Sequence, residues 1–146
     1  MIQSFTIPGE PIGKGRPRFT RGGATYTPPR TRDYESRMKA CYDTEFYLNR
    51  WQMFPKGVGV CVVIEAFFEP PKSTPKKTIW QMIAGIFKPC KRPDADNIAK
   101  AICDALNGHC YPDDSQVTAL LVFKRYGKES EVKVTVSNDE RKWISS

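Results

Sequence analysis

The run VGVCVVIEAFF, residues 58–68, is apolar throughout except for Glu65 and dominated by β-branched side chains. It falls well short of the ~20 residues a membrane-crossing helix needs. It is expected to form a well-buried strand, which calls for a packed domain around it. Of the 146 residues, 40% are hydrophobic and 12% aromatic, enough to build a core and too many for a disordered chain. One domain, residues 1–146, is expected.

The elements on either side follow from periodicity. Residues 2–7 alternate as a first strand, stopped by Pro8 and Gly9. Residues 8–29 hold five prolines and five glycines with almost no apolar period, the signature of a long loop. From Arg30 to about Trp51, Tyr34, Met38, Cys41/Tyr42, Glu45/Phe46 and Leu48 recur at helical spacing, with Thr27 or Thr31 as the start and Pro55 and Gly57 beyond the end. A short helix is expected within residues 79–87, with Ser73 or Thr74 ahead of it and Gly85 near its end. A third helix opens at Pro93-Asp94, puts Ile98, Ile102, Ala105 and Leu106 on one face, and stops at Asn107-Gly108. Residues 117–126 and 131–136 are two further strands, joined as a hairpin around Gly127. The alternation of VKVTV leaves one face of the last strand solvated. Residues 138–146 show no pattern. This order predicts an α+β fold, a small mixed sheet of about four strands with helices packed on it.

Charge is unevenly distributed. The chain carries +7, yet Asp94, Asp96, Asp104, Asp113 and Asp114 fall within 21 residues. Two flanking stretches, 11–32 and 72–92, each hold six Lys/Arg and no acid. An acidic knot in a basic surface suits a cation-dependent site that works on a polyanion. Asp94 and Asp96 sit where the third helix begins, so an i, i+2 pair can converge. Asp96, Lys100 and Asp104, at intervals of four, share a stripe opposite Ile98 and Ile102. Asp113 and Asp114 arrive from the loop after the helix. Such carboxylates are the hard oxygen ligands that Mg²⁺ takes. Plainer roles compete: Asp94 or Asp96 as helix caps, Asp96 and Lys100 as a surface ion pair, Asp113-Asp114 as a turn. An EF-hand is excluded, because Ala99 and Ala105 stand where such a loop requires Gly and Glu.

Cys41, Cys61, Cys90, Cys103 and Cys110 are odd in number and contain no CxxC pair, so reduced thiols are expected rather than a disulfide scaffold. Cys103, His109 and Cys110 match no common zinc spacing, and His109 is expected to be a loop residue. Neither a membrane-length apolar run nor a secretory start is visible in MIQSFTIPGEP, which makes the cytoplasm the expected location.

The run RPDADNIAKAICDALNG, followed by DDSQV, resembles the signature of the RusA family of Holliday-junction resolvases, endodeoxyribonucleases common in bacteria and prophages. The shared pattern is Asp-x-Asp-Asn, a Lys four residues beyond the second Asp, Asp-Ala-Leu, then Asp-Asp-x-Gln-Val. The resemblance implies that Asp94, Asp96 and Asp114 bind catalytic Mg²⁺ (or Mn²⁺), with Asp113 an acidic neighbour of that triad. It implies that Lys100 is the essential lysine and gives Asp104 a structural place. It further implies a homodimer that cuts a four-way DNA junction symmetrically, one strand per subunit. The residues expected to grip branched DNA are Lys14, Arg16, Arg18, Arg21, Arg30 and Arg32 in the first loop, with Lys91 and Arg92 beside the acidic site. Phe19 and Tyr26 are placed to stack on unpaired bases. Trp80, Ile83, Ile86 and Phe87 are expected in the core or in a dimer contact. Two rivals remain, a non-catalytic basic nucleic-acid-binding protein and an enzyme acting on a small phosphorylated substrate.

Overall fold

A computed structural model describes residues 1–15 and 18–139. Arg16 and the tail from residue 140 therefore lie outside the described residues. Four strands form one sheet: β1 (Ile2–Pro8), a long strand (Val60–Phe68), and two later ones (Val117–Tyr126 and Glu131–Ser137). A separate ribbon of two-residue strands, Arg18–Phe19 and Thr25–Tyr26, lies inside the Pro/Gly-rich segment. In chain order these are β2 and β3 for the ribbon, then β4, β5 and β6. Three helices complete the fold: α1 (Pro29–Leu48), α2 (Lys76–Ile83) and α3 (Ala95–Leu106). This is the expected α+β architecture with a mixed four-stranded sheet.

The sheet order is β1-β6-β4-β5. β6 runs antiparallel to both β1 and β4, while β5 runs parallel to β4. The expected β5–β6 hairpin is therefore absent. Residues 127–130 carry the chain across the end of β4, from one side of it to the other. Gly127 makes that crossing possible: its amide bonds to Phe68 O at 3.0 Å, and a Cβ there would stand 3.1 Å from Phe67 Cδ1. The alternation of β6 would suit either neighbour, so the pattern alone did not distinguish them.

β4 is buried along nearly its whole length, as its composition demands. Val60, Val62, Ile64 and Ala66 join Phe5 and Ile7 of β1 and the β6 valines Val132, Val134 and Val136 in one core. α1 and α3 cover that face with Tyr34, Met38, Tyr42, Ile98, Ile102 and Leu106. Lys133 and Thr135 of β6 lie on the more open face. One buried polar group is fully used. Gln3 donates to Gln52 O at 2.7 Å and accepts from Tyr42 Oη at 2.7 Å and Cys110 Sγ at 3.4 Å.

Element ends differ from expectation in physical ways. α1 starts at Pro28-Pro29 rather than at a threonine, because proline presets the first-turn backbone angle. Thr31 is instead buried and accepts a bond from Gly15 N at 3.1 Å. Leu48, counted as part of the apolar face, is 73% exposed. α2 begins three residues earlier than expected, after Pro75, and Gly85 with φ +88 lies just past its end. Of its side chains only Met82 is buried; Trp80, Ile83, Ile86 and Phe87 are all exposed, so none belongs to the core of this chain.

Candidate active site

α3 organises the acidic residues. Its apolar face is driven into the sheet by Ile98, Ala101, Ile102, Ala105 and Leu106, which turns the Asp96, Lys100, Asp104 stripe outward. Asp96 and Lys100 are exposed, and Asp104 is half-buried. Asp94 occupies the N-cap position with extended backbone, φ −69 and ψ 152, yet its carboxylate makes no capping bond. The capping role is thus left unfilled by the residue best placed for it.

Two of the five aspartates are engaged. Asp104 accepts from Lys100 Nζ at 3.3 Å and lies 3.5 Å from Lys14 Nζ. Lys14 also donates to Glu35 Oε1 at 2.5 Å, so its ammonium joins the first loop to α1 and α3. Burial works against that charge, but the Glu35 and Asp104 carboxylates outweigh it and hold the lysine above its ordinary pKa. Lys14 is therefore tied to carboxylates within the protein. Asp113 accepts from the Ser115 hydroxyl and starts a single 3-10 turn, Asp114–Gln116.

The other three, Asp94, Asp96 and Asp114, have neither a hydrogen bond nor an ion pair to their side chains among the described residues. Asp114 is half-buried on the turn packed beside α3. Burial first, and the nearby Asp104 and Asp114 charges after it, push the Cys103 thiol up. Burial, Cys103, Cys110 and Asp114 do the same to the Tyr111 phenol. Among the described residues no three carboxylate, imidazole or thiol groups are drawn together tightly enough to hold a metal ion. The donor chemistry suits a hard cation all the same: three unengaged carboxylates from a helix start and an adjoining turn. His109 is exposed in the turn after α3, and Cys110 is buried in the core.

Gln116 carries more of this site than its place in the motif announced. Its amide donates to Pro55 O at 2.8 Å and Val58 O at 3.0 Å, and its carbonyl accepts from Asp113 N at 3.3 Å. The aspartate pair is thereby pinned to the segment that enters β4. The only sequence hint was a glutamine two residues after a double aspartate.

The basic residues surround a cleft of about 580 Å³ beside Asp94, with Arg30, Lys91 and Arg92 on its walls. Arg21 and Arg32 are exposed nearby in sequence, and Arg18 lies on the ribbon opposite Tyr26. Phe19 and Tyr26 project from that ribbon, 75% and 42% exposed.

A family model for the endodeoxyribonuclease RusA matches residues 8–137, which contain every one of these groups. The chain belongs to the RusA family. RusA proteins are endodeoxyribonucleases, and the match supports nuclease activity for this chain. The chain is also 33% identical over 136 residues to the uncharacterized protein YqaN of Bacillus subtilis (strain 168), an overlap of 90% of this chain and 93% of YqaN. Among the described residues no helix is long and apolar enough to cross a membrane.

Proposed function

We propose that this RusA-family chain is a divalent-metal-dependent endonuclease that resolves four-way DNA junctions by paired symmetric cuts, working as a homodimer in the cytoplasm. The observation that carries the reading is the division among the five aspartates. Asp104 and Asp113 are satisfied by neighbours, whereas Asp94, Asp96 and Asp114 are left unengaged among the described residues. Those three are the positions the RusA signature assigns to metal. They would hold Mg²⁺ or Mn²⁺, which supplies a Lewis acid for phosphoryl oxygens and lowers the pKa of water.

The chain's own groups do the rest. Lys100 is exposed and, among the described residues, held by Asp104 alone, so its ammonium is free to exchange that carboxylate for a phosphate oxygen of the strand being cut. Arg21, Arg30, Arg32, Lys91 and Arg92 neutralise backbone phosphates on either side, with Arg16 and Arg18 on the same loop. Phe19 and Tyr26 present ring faces to bases that lose their partners at a branch point.

Labelled four-way junctions incubated with Mg²⁺ or with EDTA test this. Cutting is expected with Mg²⁺ alone, and Asp96→Asn should abolish it while leaving junction binding intact or tighter, because a charge that repels phosphate is gone. Wild-type cutting by Asp96→Asn would overturn the site assignment. For the rival of a basic, non-catalytic DNA binder the Mg²⁺ and EDTA lanes would be identical. A steep fall of affinity with salt separates either from an enzyme on a small phosphorylated substrate.

A further inference from the structure

Asn97 follows the aspartate pair in the signature, and neither metal binding nor helix packing uses its side chain. It is exposed, lines the cleft beside Asp94, and has no hydrogen bond to its amide group among the described residues. Its position is nonetheless tightly defined. The Asn97 carbonyl accepts from Lys14 N at 3.0 Å, and a Cβ built on Gly13 would come within 3.0 Å of Asn97 Cβ and 2.9 Å of Pro93 Cβ. The first loop is therefore pressed against the start of α3, and only glycine at 13 permits that approach.

The cleft so formed has a mixed lining. Ile12, Phe68 and Pro93 give it apolar surface, and Arg30 and Arg92 are cations with no acidic partner among the described residues. Lys91 lines it too, and so do Glu10 and Asp94, so an anion is favoured beside Arg30, Lys91 and Arg92 rather than throughout. At about 580 Å³ it falls within the ~300–1,000 Å³ span of sites that enclose one small ligand. An apolar slot, a free amide with both donor and acceptor, and cations at its walls suit a nucleobase carried on a phosphodiester backbone.

We propose that this cleft is a binding site for one unpaired nucleotide next to the phosphodiester to be cut, with Asn97 contacting the base edge and Arg30 and Arg92 the adjoining phosphates. The proposal rests on the nuclease reading and adds a reason for structure selectivity: a continuous duplex has no nucleotide to offer, whereas a branch does.

Binding of the full chain to forked and four-way DNA in EDTA tests it without any cutting. Each nucleotide around the branch is replaced in turn by an abasic residue. At one position the wild type should lose about tenfold in affinity, the scale of one stacked base. Asn97→Trp, which plugs the cleft, should bind intact and abasic DNA equally and about tenfold more weakly than wild type binds intact DNA. Arg30→Ala, an exposed change that leaves the core alone, should weaken intact and abasic DNA alike and keep the tenfold gap between them. Indifference of the wild type to every abasic position would overturn the proposal, as would a full tenfold gap retained in a folded Asn97→Trp. Either result leaves the nuclease reading standing if Mg²⁺-dependent cutting by wild type persists; loss of that cutting alone would sink the nuclease reading.

Discussion

At the scale of single residues, the site is defined by which charges already have partners. Lys14 comes from a loop some ninety positions away in the chain, and it is the partner that takes Asp104 out of contention as a ligand. The resemblance already set Asp104 apart as structural, but its partner Lys14 was not legible in the sequence, where Asp96, Lys100 and Asp104 form an unbroken stripe of equivalent-looking charges. The spacing of Asp94 and Asp96 and the identity of Lys100 were legible; the vacant cap was not, because an aspartate before a helix normally caps it. Asp104→Asn should therefore behave unlike its neighbours. It weakens the hold on Lys14 and Lys100 without removing a free carboxylate. Cutting of labelled junctions should stay within about tenfold of wild type, the loss of one charge-assisted bond of roughly 1.5 kcal/mol. Asp94→Asn or Asp114→Asn should instead lose cutting altogether.

At the scale of elements, the helices and strands were largely visible because each satisfies a local rule. β4 is too apolar to be anything but buried, and the α3 face repeats at the helical interval. What local rules do not carry is who pairs with whom. β6 alternates in the same way whether it follows β5 in a hairpin or slots between β1 and β4, and the observed insertion takes the chain past Phe67 at Gly127, where a side chain would crowd the ring. The start of α1 was misplaced for a related reason: two prolines set its first turn, and the nearby threonine is spent on Gly15. Gln116 is the element-scale residue to test. Gln116→Leu takes its donor from Val58 O, leaves Pro55 O with the longer bond from Val58 N, and frees the turn that carries Asp114. Denaturant unfolding should show a loss of about 1–3 kcal/mol. Calorimetric titration with Mn²⁺ should show weaker uptake than wild type under conditions where both are folded.

At the scale of the whole molecule, the buried thiols and phenols set an alkaline limit. Burial pushes Cys110 up from 9.0 to about 12 and Tyr34 up from 10.0 to about 12, and raises Tyr42 and Tyr111 as well. A group whose pKa is higher folded than unfolded favours folding fully below its unfolded value and progressively less above it. Thermal stability should thus be level up to about pH 7.5, roughly a unit short of the ordinary thiol pKa, and fall steadily from there towards pH 12. Melting curves across that range check it. Cys110→Ala should be less stable at pH 8 but show a shallower alkaline fall, since one proton that the fold must retain has been removed.

The insertion of β6 has a consequence for how the molecule comes into being. Its two neighbours are separated by more than fifty residues of chain, and its partner Ile2 is paired with Ser137. The middle of the sheet is therefore supplied by the strand that is synthesised after the other three, β1, β4 and β5. Until then β1 and the β4–β5 pair have no shared ladder, and α1 and α3 have no continuous surface to settle on. A chain stopped at residue 130 would lose the keystone rather than an edge, and should be recovered as aggregate or degraded fragment instead of as a smaller folded enzyme.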